Sequence, residues 1–129
     1  MNGERGTGKE EKDEQRHREA GPGLCRESSS TRAGLGKGHG VSSVIGKQVL
    51  RAGTSIGANL HEARGSQSRA DVISKCSIAC KEAHETLYWL DLIVTSNLME
   101  ERQLAGLAQE CDELVAILTA IVNKSKGQA

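Results

Sequence analysis

The chain has 129 residues, with 17 Lys/Arg against 17 Asp/Glu, one Trp, one Tyr and no Phe. That length holds one domain, whose core has to be aliphatic and alanine-rich. The balanced charge lacks the basic surplus that grips nucleic acid through its phosphates, and the longest apolar-rich run, Val115 to Val122, is too short to cross a bilayer.

Met1 leads into a polar run with no signal peptide, so the expectation is a cytoplasmic protein with no membrane partner. Its four cysteines, Cys25, Cys76, Cys80 and Cys111, are then read as thiols. Residues 1–40 hold 9 of the 15 glycines, the only proline (Pro22), and no Val or Ile. Leu24 and Leu35 are the only large aliphatics there after Met1, too few to offset the entropy of ordering the segment. This stretch is expected to be a disordered, low-complexity segment, with at most a transient polar helix over Lys9 to Ala20. Gly34-Leu-Gly-Lys-Gly38 resembles a phosphate loop only in its glycines; it has no preceding strand and no Gly-Lys-Ser/Thr ending.

From Val41 the pattern turns helical and proline disappears, which assigns 41–126 to a helical-bundle domain. The first of three predicted helices covers about 43–65. Its apolar line is Ile45, Val49, Ala52, Ile56, Leu60 and Ala63. Gly53 and Gly57 sit one turn apart inside it, and each costs roughly 1 kcal/mol relative to Ala. Close approach of a neighbouring backbone is the usual gain. The next helix, 68–97, carries Ile73, Cys76, Cys80, Ala83, Leu87, Leu90 and Val94 at steps of 3 and 4. Val72, Ala79, Trp89 and Leu92 form a second stripe. Ser68 fits an N-cap, with Asp71 three residues on, and Asn97 marks the end. The last helix, 100–125, lines up Leu104, Leu107, Cys111, Leu114, Leu118 and Ile121, and Gly127 fits a stop. Unbroken 3–4 spacing with short loops predicts an all-α, antiparallel up-and-down bundle.

Two stretches, Arg51-Ala-Gly-Thr-Ser-Ile-Gly-Ala-Asn59 with Glu62-Ala63, and Lys81-Glu-Ala-His-Glu-Thr-Leu-Tyr-Trp-Leu90, resemble the bacterial four helix bundle protein family. Its members include proteins encoded in intervening sequences of 23S ribosomal RNA genes. The resemblance covers about 44–124. It implies a four-helix bundle that assembles as a ring-like homo-oligomer, commonly a pentamer, with a largely undefined biochemical role. A relative of similar fold serves as a nucleic-acid-binding accessory in diversity-generating retroelements. The family's amphipathic first helix is not recognisable in residues 1–40, so it is read as lost or replaced. A three-helix remnant would expose the apolar side that the first helix covers, favouring self-association or instability.

Cys76-x-x-x-Cys80-x-x-x-His84, with Cys111 on the neighbouring helix, is the sharpest metal-like pattern, because zinc takes four such ligands in a tetrahedron. All three cysteines fall on apolar lines, where Cys acts as a small hydrophobe, so no metal is assigned. The one Glu-x-x-His spacing, Glu14 to His17, lies outside the bundle, which argues against di-iron chemistry. Glu62, Glu82 and Glu85 read as ion-pair partners of Arg51 or Lys81. Thr54, Ser55 and Asn59 lack a nucleophile elbow and a partner base, and read as hydrogen-bonding groups across a close helix contact. Tyr88 and Trp89 point about 100° apart, and Tyr88 reads equally as an interface anchor or as intrachain packing.

The interface and packing set is therefore Arg51, Gly53, Ser55, Gly57, Asn59, Glu62, Glu82, Glu85, Tyr88 and Trp89, with no catalytic residue and no cofactor. The function expected is a non-enzymatic, self-assembling scaffold or interaction module. The alternatives are a nucleic-acid-binding accessory protein, resting on the resemblance, and a Cys/His metal protein. From Val41 onward nine Lys/Arg face ten Asp/Glu, so phosphate binding would need those charges segregated on one face.

Overall fold

The computed structural model describes residues 26–35 and 40–127. Among these there are four helices and no strand: α1 over 26–34, α2 Val41–Gly65, α3 Arg69–Thr95 and α4 Glu101–Ser125. α2 packs along α3 and α3 along α4, while α2 and α4 are diagonal and make no direct backbone approach. The all-α bundle expected from the spacing is the observed fold.

The helix ends follow local chemistry. Ser68 is the N-cap of α3, its Oγ accepting the Asp71 N–H at 3.1 Å, which satisfies one of the helix's orphan donors. At the far end Asn97 takes φ 57°. Its N–H donates to the Val94 carbonyl and the Leu98 N–H donates to Ile93, both at 3.0 Å. That pair of bonds is a Schellman ending, with Asn in the left-handed position and Leu98 folded back on the core. Gly127 plays the same part after α4, at φ 73°. At the start of α4 the Glu100 N–H donates to Gln103 Oε1 at 3.1 Å.

Ile45, Val49, Ala52, Ile56 and Leu60 of α2 are buried, as are Leu104, Leu107, Cys111, Leu114 and Leu118 of α4, matching the expected lines. α3 differs. Its buried line is Cys76, Ala79, Ala83, Thr86, Leu90 and Ile93, and Cys80, Leu87 and Val94 are only half-buried. The physical reason is that α3 carries two apolar stripes side by side, and the one turned to the bundle centre between α2 and α4 is the one buried. That line is rich in small residues, which leaves room for the Leu and Ile of α2 and α4. Thr86 is tolerated there because its Oγ1 donates to the Glu82 carbonyl at 2.8 Å.

The expectation of disorder through residue 40 fails over 26–34, which is helical and packed; residues 1–25 and 36–39 lie outside the described residues. Inward positions of α1 are Ser28, Thr31 and Leu35, at steps of 3 and 4. The seam is periodic, but two of its three described members carry hydroxyls, so hydrophobic patterning does not register it. Ser28 Oγ is fully buried with no hydrogen-bond partner, a group whose desolvation costs about 1–3 kcal/mol.

Three glycines set where α1 lies. A Cβ on Gly34 would come 3.1 Å from Met99 Cε, and one on Gly106 would come 3.7 Å from Glu27 Oε1. Seven residues back along α1, from 34 to 27, correspond to seven forward, from 99 to 106, so α1 runs antiparallel to α4. On α2, a Cβ at Gly46 would meet Arg32 Cδ at 3.2 Å and Leu35 Cδ1 at 3.3 Å. α1 thus fills the position between α2 and α4, opposite α3, and the fourth-helix place read as vacant is occupied.

Two substitutions test the helix chemistry in opposite directions. Gly106 is exposed in mid-helix with only an ordinary contact at its Cβ position. Gly106→Ala is expected to stabilise by up to about 1 kcal/mol, raising Tm by about 4 °C in calorimetry. Ser68→Ala is expected to cost about 1 kcal/mol by losing the cap.

Candidate functional site

The motif Arg51 to Asn59 divides around the circumference of α2. At 100° per residue, Arg51 and Gly53 point about 160° apart, with Ala52 and Ile56 facing the centre between them. Arg51 lies on the α3 flank. Its Nη2 donates to Glu85 Oε2 at 2.5 Å, Nη1 approaches Glu82 Oε2 at 3.4 Å, and Nε donates to Gln48 Oε1 at 2.9 Å. Gly53 and Gly57 are buried on the other flank, in line with Gly46 at steps of 7 and 4. Gly46 is the glycine that touches α1. Moving seven residues in opposite directions from the Leu35–Gly46 contact puts Ser28 level with Gly53. By this register the described part of α1 runs along Gly46 and Gly53.

Among the described residues, Thr54, Ser55 and Asn59 make no bond to another helix. Thr54 Oγ1 donates to the Leu50 carbonyl at 2.7 Å, and Asn59 Nδ2 donates to the Ser55 carbonyl at 2.8 Å and Ser55 Oγ at 3.2 Å. A short polar side chain in a helix finds the i−4 carbonyl first, and these local bonds are the ones seen among the described residues. Glu62 is likewise reassigned: it pairs with Lys75 Nζ at 2.5 Å, across α2 and α3, and not with Arg51 or Lys81.

The electrostatics of the Arg51 cluster are asymmetric. The hydrogen bond from Arg51 holds the Glu85 carboxyl below its ordinary pKa, helped weakly by the Trp89 indole, whose N–H is buried without closing a normal hydrogen bond. Burial pushes Glu82 up, and sharing a hydrogen bond with Glu85 adds to this. The Arg51 side chain is 48% exposed, so the cluster fastens α2 to α3 with solvent-screened energy, on the order of 1 kcal/mol or less.

Along the same outer α2–α3 face lie the large apolar side chains that the chain leaves in water. Tyr88 is 59% exposed, Val44 60%, Val41 70% and Ile78 40%. Tyr88 packs edge-on against half-buried Trp89, with ring centroids 5.0 Å apart. Val44 is one heptad before Arg51 and Ile78 one heptad before Glu85, so both follow the ion-pair stripe along its two helices. Sequence reading missed Val44 and Ile78 because they lie off the apolar lines; their heptad offset from the charged pair was the available signal.

The cysteine–histidine set does not converge. Cys76 and Cys111 are buried, Cys80 is half-buried with Sγ 3.5 Å from Thr119 Oγ1, and His84 is exposed. Burial raises the Cys76 thiol and pushes Cys111 up to about 12, which keeps both protonated and inert. Among the described residues no group of three or more His, Cys, Asp or Glu side chains is placed to hold a metal ion. A shallow recess at the α3–α4 turn, lined by Val94, Asn97, Leu98, Met99, Glu100 and Gln103, brings together no nucleophile and base. No described helix is long and apolar enough to cross a membrane.

Arg51→Gln should raise the Glu85 pKa and leave Glu62 unmoved, read by carboxyl-carbon NMR titration. Because Glu85 is depressed in the fold, its contribution is present above the ordinary carboxyl pKa and is lost as pH falls through its folded value. Glu82 has the opposite sign: its raised pKa makes ionisation costly as pH rises, so acidification recovers part of the loss. The stability gap between Arg51→Gln and the native chain, about 0.5–1 kcal/mol at pH 7, should therefore close in acid.

The profile of the family described as "23S rRNA-intervening sequence protein" matches residues 39–120. Among solved structures, a 1.70 Å crystal structure of a protein with unknown function from the S23 ribosomal protein family of Bacteroides thetaiotaomicron VPI-5482 is similar. It is 34% identical, covers 85% of this chain and 97% of its own, and superposes with a TM-score of 0.68. That share is larger than 39–120 and only nine residues follow 120, so the likeness extends ahead of residue 39, where α1 lies. No curated protein matches. With the profile spanning well over half of its residues and a solved relative of the same bundle architecture, the chain belongs to the 23S rRNA-intervening sequence protein family.

Proposed function

We propose that this chain is a non-enzymatic helical-bundle protein that assembles with copies of itself through the outer α2–α3 face, in the cytoplasm. The observation that carries the reading is exposed Tyr88, edge-on against half-buried Trp89, with exposed Val44 and Ile78 on either side of the ion-pair cluster. A Tyr exposed to this degree next to a Trp is the residue pair that protein interfaces favour. The Arg51–Glu82–Glu85 cluster within the same face supplies polar groups at its middle, and burial of the face by a second copy would strengthen them. The family resemblance implies a ring of five.

The polar residues of the α2 and α3 motifs are occupied in bonds within and between helices. Thr54, Ser55 and Asn59 are bonded into their own helix, Glu82 and Glu85 of α3 are paired with Arg51, and the free thiols Cys76 and Cys111 are buried, which also suits a reducing compartment. Arg51, Lys75 and Arg102 are engaged with carboxylates, which leaves fewer cations for phosphate contacts.

Sedimentation over a concentration series tests the assembly. Association that rises with concentration and is abolished by Tyr88→Lys, with helical circular dichroism unchanged, is the expected result. A strict monomer at the highest soluble concentration would sink it. Salt-sensitive RNA or DNA binding in a gel-shift series would instead favour the nucleic-acid accessory role.

A further inference from the structure

We draw no further inference here: the strongest candidate, the surface patch of exposed Arg64, Arg69 and Lys126 at the end of the bundle where the α2–α3 turn meets the C-terminus of α4, rests on three solvated cations, and nothing in the structure shows what covers them.

Discussion

The bundle depends on how α2 divides its circumference. One flank is a line of glycines, Gly46, Gly53 and Gly57, and the opposite flank is the Arg51 stripe. The first lets a neighbouring backbone come close because no Cβ stands in the way; the second reaches across to carboxylates on α3 with a long, forked side chain. Between them Ala52 and Ile56 point at the centre. A single helix is thus given two neighbours held by different means, and the motif is a specification for packing. The energetic oddity of glycine inside a helix is resolved on the α1 side, while the ion pair fixes α3.

α3 and α4 then follow. α3 lies between α2 and α4 and carries the small residues Ala79, Ala83 and Thr86 inward, so the large side chains of both neighbours meet over it. α4 supplies a run of leucines and Cys111. α1 completes the ring between α2 and α4, antiparallel to α4 as Gly34–Met99 and Glu27–Gly106 show. What is left over is an outer α2–α3 face that carries the Arg51 ion pairs and the exposed side chains of Val44, Ile78 and Tyr88. The polar groups there are structural fasteners between α2 and α3.

Much of this was legible in the sequence. The lines of α2 and α4 are strictly periodic, so burial follows them from Ile45 to Leu60 and from Leu104 to Leu118, while Ala63 and Ile121 at their ends, and the second stripe of α4 at Ala108, Val115 and Val122, are half-buried. Ser68, Asn97 and Gly127 announced their helix ends through the chemistry of capping. α3 was harder, because Cys80, Leu87 and Val94 are as hydrophobic as Ala79, Thr86 and Ile93, and only the positions of both neighbours decide between the stripes. α1 was not legible at all. Its seam of Ser28, Thr31 and Leu35 has helical spacing but little hydrophobicity, and hydroxyls at inward positions read as linker. Nor does spacing reveal that Thr54, Ser55 and Asn59 bond within their helix, or that Glu62 selects Lys75, since these choices turn on distances of an ångström or two. The paired glycines did announce a close approach, and the helix that makes it is the one the hydrophobic pattern hides.

The central claim is that this glycine line holds α1. In isotopically labelled protein, a nuclear Overhauser cross-peak between the Ser28 β-protons and the Gly53 α-protons tests it most directly. The antiparallel register carried from the Leu35–Gly46 contact predicts that cross-peak. Gly53 α-protons showing cross-peaks to α3 side chains, and none to Ser28, would contradict it.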